Sequence, residues 1–362
     1  MKVCFLVSNL VSGGVERTVV YVSGYFAHHG IDTTILSISD EIFYDTDPDV
    51  KLVKLGIPRS YQNPVQKYVR IFKRMTKVKK NILREKFDVV FCMAPEVSRY
   101  VLPFYQKGKF KLVSSERNNP LYDNSRNREI KKKLFERCDG IIFQTKRAME
   151  CFPPEIQKKG VVIPNAVGNE LAYTLSAPAE KKNKFSAIGR LTKQKDYPTM
   201  LRAFARFCEK HPGYELEIFG VGEDKEALEH LAQELGIREQ VVFRGVSQKA
   251  LAEIADAKAF LLSSIYEGIP NVLLEAMAIG MPCISTDCPF GPAEIIENEK
   301  SGLLVPVGDE TAFADAMCRM VEDPAFAAQC GENAREIKNT YSIESISARY
   351  AEYVKTIGNG SK

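Results

Sequence analysis

Residues 263–276 read SSIYEGIPNVLLEA, and the fold follows from how that stretch is built. The apolar run at 259–262 has the length and composition of a buried parallel strand, and Pro270 and Asn271 open a helix after it. Gly268 allows the sharp turn between the two. A helix that starts at the carboxyl end of a strand presents free N–H groups and the positive end of its dipole, which suits a phosphate or diphosphate. Two carboxylates flank this point. Glu267 lies in the turn, and Glu275 lies about a turn and a half into the helix, within the apolar run 272–279. A carboxylate near a helix start is favourable in its own right. Among Leu273, Leu274, Ala276 and Met277, however, it needs hydrogen-bond donors to offset burial, and sugar or ribose hydroxyls are suitable.

The spacing of Glu267 and Glu275, with seven residues between them, around Gly268-Ile269-Pro270-Asn271-Val272-Leu273-Leu274, resembles the signature of glycosyltransferase family 4. A bare pair of glutamates would be weak evidence; the residues around them carry the resemblance. It implies an α/β chain of GT-B type, two Rossmann-like doubly wound domains facing a central cleft, that transfers a sugar from a nucleotide with retention.

Length and composition agree. A chain of 362 residues is natural for two domains at roughly 150 residues each. No apolar stretch approaches the ~20 residues that cross a bilayer, and the opening MKVCFLV reads as a first strand rather than a signal peptide, so a cytoplasmic protein is expected. Nine cysteines without a Cys-x-x-Cys pair, several of them (Cys4, Cys92, Cys283) in strand-like runs, read as reduced core residues. The net charge of +4 hides an imbalance: residues 1–168 carry 29 Lys and Arg against 17 Asp and Glu, and the remainder 21 against 29. A basic first half points to an anionic partner on that side.

Strand-like runs at 3–7, 33–38, 89–93, 111–115 and 141–144 alternate with amphipathic segments, and the pattern restarts at 185–188, 215–219, 241–243, 259–262 and 283–285. The expected domains are 1–167 and 168–341. The resemblance implies that the last helix, residues 342–362, packs back on the first domain. Ligands of such sheets bind at the carboxyl ends of the strands.

In the first domain, Gly13 and Gly14 follow the first strand and permit close backbone approach to a ligand, although a glycine pair at a turn is structural at least as often. The spacing is not the Gly-x-Gly-x-x-Gly of a dinucleotide fold. Between 65 and 86, Val65, Tyr68, Ile71, Phe72, Met75, Ile82 and Leu83 recur at helical spacing, a stripe expected to pack on the first sheet. Lys67, Arg70, Lys73, Arg74, Lys77 and Lys80 are among nine cations opposed by Glu85 alone. One sign of charge on a helix suits an anionic membrane surface or a lipid-linked diphosphate, while a merely solvated face remains open. No nucleic-acid motif or stacking pattern accompanies it, so no nucleic-acid partner is expected. Many family members carry a histidine after the fourth main strand. This chain has Glu116-Arg117-Asn118 there, so Glu116 takes the catalytic place and Arg117 and Asn118 the acceptor side. That variant resembles members that build bacterial glycans on polyprenyl diphosphate, some of which transfer N-acetylgalactosamine.

In the second domain Gly189-Arg190 and Lys195 match the family's diphosphate-binding pair, and loops at Gly220 and at Gly245-Val246 resemble those lining the nucleotide pocket. The resemblance therefore implies catalytic roles for Arg190, Lys195 and Glu267. It implies donor binding by Gly13, Gly14, Gly189, Gly220, Val246, Gly268, Ile269, Pro270, Asn271, Val272, Leu273 and Glu275. The Asp45-Thr46-Asp47 and Asp47-Pro48-Asp49 triplets imitate a metal-binding Asp-x-Asp, but acidic turn residues explain them, and neither metal nor cofactor is expected. The reading is a metal-independent transferase moving a sugar, N-acetylgalactosamine or another hexose or N-acetylhexosamine, from a UDP donor to a glycan acceptor on polyprenyl diphosphate at the inner face of the plasma membrane. A soluble acceptor, or a sensor that binds sugar nucleotides without turnover, are the alternatives.

Overall fold

Short apolar strands buried on both faces must alternate with covering helices, and among the residues described every strand pairing is parallel. The computed structural model describes residues 1–11, 13–58, 64–117, 119–168 and 171–359. One unit comprises Met1–Ala166 with Ile343–Lys362, the other Val167–Ser342.

Unit 1 contains β1 (Lys2–Val7), β2 (Asp32–Ser37), β3 (Lys51–Lys54), β4 (Val89–Cys92), β5 (Lys111–Glu116), β6 (Gly140–Phe143) and β7 (Gly160–Val162), in the order β3-β2-β1-β4-β5-β6-β7. Its helices include α1 (Gly14–His28), α2 (Pro64–Glu85) and α3 (Ser125–Arg137). The C-terminal helix Ile343–Asn359 buries Ile346, Tyr350 and Val354 in one cluster with Val19, Val22 and Phe26 of α1. Each such side chain contributes about 1.5–3 kcal/mol of burial.

The α2 stripe does not pack as its spacing predicts. Val78 and Ile82, toward its C-terminal end, are buried, and Glu85 clamps that end through Lys2 (2.9 Å) and Lys51 (3.1 Å). Those cations hold the Glu85 carboxyl down at about 2. Toward the N-terminal end Tyr68, Val69 and Phe72 are 71%, 60% and 70% exposed, so the expectation of a fully packed stripe is corrected there. Periodicity marks which residues share a face, not what covers it. The cations divide as well. Arg74 donates to the Pro58 carbonyl (2.8 Å) and Lys77 to the Leu55 carbonyl (2.5 Å), whereas Lys67, Lys73, Lys79 and Lys80 are exposed. The side chain of Val65 lies outside those described.

Unit 2 contains β8 (Lys182–Ile188), β9 (Glu215–Phe219), β10 (Val241–Gly245), β11 (Ala257–Leu262), β12 (Cys283–Thr286) and β13 (Leu303–Val305), in the order β10-β9-β8-β11-β12-β13. Its helices include α4 (Tyr197–Lys210), α5 (Asn271–Ala278), α6 (Glu310–Glu322) and α7 (Pro324–Arg335). Phe185 of β8 meets Phe207 of α4 edge-on at 5.1 Å in the core between sheet and helix. Both sheets reverse their strand order beside the first strand, between β1 and β4 and between β8 and β11, and loops diverge at such points to leave a crevice. Among the described residues no helix is long and apolar enough to cross a membrane.

Candidate active site

The crevice position of unit 2 is where the sequence-marked residues gather. The loop leaving β8 carries Arg190 and Lys195, and the loop leaving β11 carries Glu267 and Gly268. Backbone and side chains stitch the two loops together. Ser263 Oγ donates to the Lys195 carbonyl (2.7 Å), the Ile265 N–H to the Gln194 carbonyl (2.9 Å), and Gln194 Nε2 to the Tyr266 carbonyl (3.0 Å). Lys195 Nζ closes the set on Glu267 Oε1 at 2.6 Å, and Ser264 Oγ donates to the same oxygen at 2.6 Å. The side chains of Lys195 and Glu267 are only 12% and 8% exposed, so the pair is held before any ligand arrives. Thr286, at the end of β12, fixes the Ser264 carbonyl (2.6 Å). Arg190 stays exposed, its guanidinium donating to Gln194 Oε1 (3.1 Å).

Close backbone approach requires two of the glycines. Gly220 has φ of 143°, and a Cβ there would fall 1.9 Å from the Gly189 carbonyl oxygen. Gly291 has φ of 91°, and its Cβ would fall 2.0 Å from the Gly268 oxygen. The 286–292 turn, to which sequence alone gives no role, thus backs the Gly268 turn.

Helix α5 starts beside Glu267, with Pro270 as its N-cap. The N–H groups of Leu273 and Leu274 both reach the Pro270 carbonyl (3.0 and 3.2 Å), so the first intrahelical bonds are made there. Leu273 is also fully buried, so the expectation that it contacts a donor is corrected: neither its side chain nor its N–H is available. Glu275 is buried on the same helix, Ile269 is buried in the adjoining core, and Val246 stands exposed after β10. Burial raises the Tyr197 phenol, with Glu267 adding to it, so the hydroxyl near Gly189 is neutral at physiological pH. Burial likewise pushes the Cys288 thiol up to about 12, again with Glu267 adding, which removes it as a thiolate nucleophile.

Unit 1 treats its expected residues differently. Gly13 donates its N–H to the Tyr44 hydroxyl (3.3 Å), and Gly14 opens α1. Glu116, at the end of β5, is sealed in: Lys131 Nζ of α3 lies 2.7 Å from its Oε2 and 2.7 Å from Asp123 Oδ2. Burial pulls the Lys131 ammonium down, but Glu116 and Asp123 outweigh it and raise its pKa, so the lysine stays protonated. The catalytic reading of Glu116 is therefore corrected, because its carboxylate is spent on a buried lysine. Arg117 is corrected for a similar reason. Its guanidinium donates to Ser115 Oγ (2.9 Å), to Asn165 Oδ1 (2.9 Å) and to the Tyr350 hydroxyl, tying β5 to the C-terminal helix. Asn118 lies outside the described residues. Asp47 sits beside His28 Nε2 (3.0 Å) and accepts the Asp49 N–H (2.9 Å), a turn at the surface.

Reading single residues missed Ser264, Gln194 and Thr286, which brace the pair. The available signal for Ser264 and Thr286 was a hydroxyl at the end of an otherwise apolar strand, where it needs a partner; Gln194 carried none.

Residues 176–337, most of unit 2, match the family described as Glycosyl transferases group 1, and with two doubly wound sheets of GT-B architecture the protein is a glycosyltransferase. Over 362 residues, 99% of each chain, it is 25% identical to the GalNAc-alpha-(1->4)-GalNAc-alpha-(1->3)-diNAcBac-PP-undecaprenol alpha-1,4-N-acetyl-D-galactosaminyltransferase of Campylobacter jejuni. It is 28% identical over 339 residues to an uncharacterized glycosyltransferase of Methanocaldococcus jannaschii, covering 79% of this chain and 83% of that one. In fold it is similar to Anabaena HepE in complex with UDP-glucose, with a TM-score of 0.78 at 16% identity, covering 98% of this chain and 100% of that one.

Proposed function

We propose that the protein is a retaining, family 4-type glycosyltransferase that uses a UDP-linked hexose or N-acetylhexosamine, N-acetylgalactosamine foremost. The acceptor is a glycan carried on polyprenyl diphosphate. The observation that carries this reading is the Lys195–Glu267 pair at 2.6 Å, set between the Arg190 loop and the N-terminus of α5. Transfer breaks the bond from the anomeric carbon to the β-phosphate oxygen. It forms a bond to the acceptor oxygen on the same face, and the acceptor proton passes to the departing phosphate. The demand on the protein is to stabilise negative charge growing on the diphosphate. Arg190, Lys195 and the N-terminus of α5 supply that without a metal ion. Both bonds to Glu267 land on Oε1, leaving Oε2 for a sugar hydroxyl, and Glu275 holds the ribose hydroxyls.

The Campylobacter relative's name supports the lipid-linked acceptor and the N-acetylgalactosaminyl donor, and the HepE complex supports UDP. The exposed cations of α2, with Tyr68, Val69 and Phe72, support attachment to the anionic inner face of the plasma membrane. The test is transfer from a panel of UDP-sugars to a polyprenyl-diphosphate-linked glycan in excess EDTA, with the product anomer read by proton NMR. An axial, α-configured product formed at full rate in EDTA is expected. Inversion at the anomeric carbon, or activity that returns only with manganese or magnesium, overturns the reading.

A further inference from the structure

At the amino ends of β8, β11 and β12, opposite the strand ends that carry Lys195 and Glu267, unit 2 holds a cavity of about 340 Å³. That volume is in the range of small-molecule sites. Its wall is apolar where Ala177, Pro282, Met320 and Ala327 contribute, and three cations, Lys181, Lys258 and Arg335, line it together with a single carboxylate, Glu332. The neighbouring acid does not balance them. Asp256 is committed to Lys182 and Lys184, each at 2.8 Å. Lys181 donates to the Ala255 carbonyl (2.8 Å), a neutral partner. Burial lowers its pKa to about 8 against the pull of Asp256, and Arg335 and Lys258 lower it further. Arg335 lies flat against Gly280, where φ is 83° and a Cβ would come 2.6 Å from Nη2. Cations brought together at this cost, around a void with an apolar wall, are matched by an anion with an organic body. Three positive groups against one carboxylate leave a balance that a dianion neutralises.

We propose that this cavity is a second ligand site, separate from the donor site, for a small organic phosphomonoester. The phosphate lies among Lys181, Lys258 and Arg335, and the organic body lies on the apolar wall. A guanidinium and two ammonium groups suit the doubly charged head, the arginine through paired donors.

The test is calorimetric titration of the full chain with phenyl phosphate in the presence of saturating UDP. Saturable one-to-one binding is expected, weaker by about tenfold in Lys258→Gln and in Arg335→Gln, both at side chains with exposed surface, and unchanged in the control Lys210→Gln. Glu332→Gln removes the opposing charge and should tighten binding by about threefold, which a merely structural role would not do. Phenol and inorganic phosphate should each bind about tenfold more weakly than phenyl phosphate, since each lacks one half of the match. No saturable heat up to about 10 mM overturns the proposal. So does binding abolished by UDP, equal affinity in the wild type and both cation variants, or an equal loss in Lys210→Gln.

Discussion

Two lysine–glutamate pairs sit at carboxyl ends of parallel strands, Lys195–Glu267 in unit 2 at 2.6 Å and Lys131–Glu116 in unit 1 at 2.7 Å. By distance they are twins. Around Lys131 a second carboxylate, Asp123, closes in, so one cation faces two anions and the side chains of Lys131 and Glu116 are 7% and 0% exposed. The Lys195 loop carries instead a cation, Arg190, held by Gln194, and the N-terminus of α5 adds its partial positive charge. The first cluster adds a second carboxylate to its pair; the second adds a cation and a helix N-terminus and lies where the strand order reverses. On the proposed reading an anionic diphosphate is received by the second and not by the first. Burial and pairing by themselves therefore do not mark a site, and the proposed function rests on what surrounds the pair.

The largest effect expected from this contrast is on stability. Lys131→Met leaves Glu116 buried and facing half-buried Asp123 and should cost about 3–5 kcal/mol in urea unfolding, whereas Lys195→Met should cost less than half of that. Equal losses would make both pairs structural and erase the distinction. Next comes turnover: Arg190→Ala should lower kcat by roughly 10²-fold with a smaller change in donor affinity, while leaving urea stability within about 0.5 kcal/mol. Normal turnover would remove Arg190 from the chemistry.

A smaller effect concerns α2, the other charge cluster of unit 1, whose N-terminal half is exposed and whose C-terminal half is clamped. Tyr68→Ser with Phe72→Ser should reduce flotation with anionic liposomes by about tenfold even in high salt. Lys73, Lys79 and Lys80 changed together to Gln should reduce it by a similar factor at low salt only. Arg74 and Lys77 are left intact because they hold backbone carbonyls of the fold. Flotation unchanged in both variants would leave α2 as a solvated face.

Much of the architecture was legible in the chain. Ten strand-like runs anticipate β1, β2, β4, β5, β6, β8, β9, β10, β11 and β12, and the Gly268-to-Asn271 turn locates the start of α5. The short strands β3 (KLVK), β7 (GVV) and β13 (LLV) escape such a reading, since three or four residues carry too little alternation to stand out. That Arg190, Lys195 and Glu267 stand on loops leaving neighbouring strands was legible, because local turn chemistry and resemblance point to the same loops. The fate of Glu116 was not. It depends on Lys131 reaching it from α3, a contact between residues on different elements that no local pattern announces. The exposure of Tyr68 and Phe72 was hidden for a related reason, since an apolar stripe looks alike whether the sheet covers it or not.

The central claim is that the Lys195–Glu267 cluster acts on charge developing in the donor. Its most direct test is UDP release from a UDP-sugar in the absence of acceptor, measured at saturating donor for wild type and Lys195→Ala, with UDP affinity measured by calorimetry on both. Slow release by wild type, a fall of roughly 10²-fold in Lys195→Ala and a change in UDP affinity of less than about tenfold are expected. Equal release by the two proteins, or no release by wild type that nevertheless binds UDP-sugar, would contradict the account.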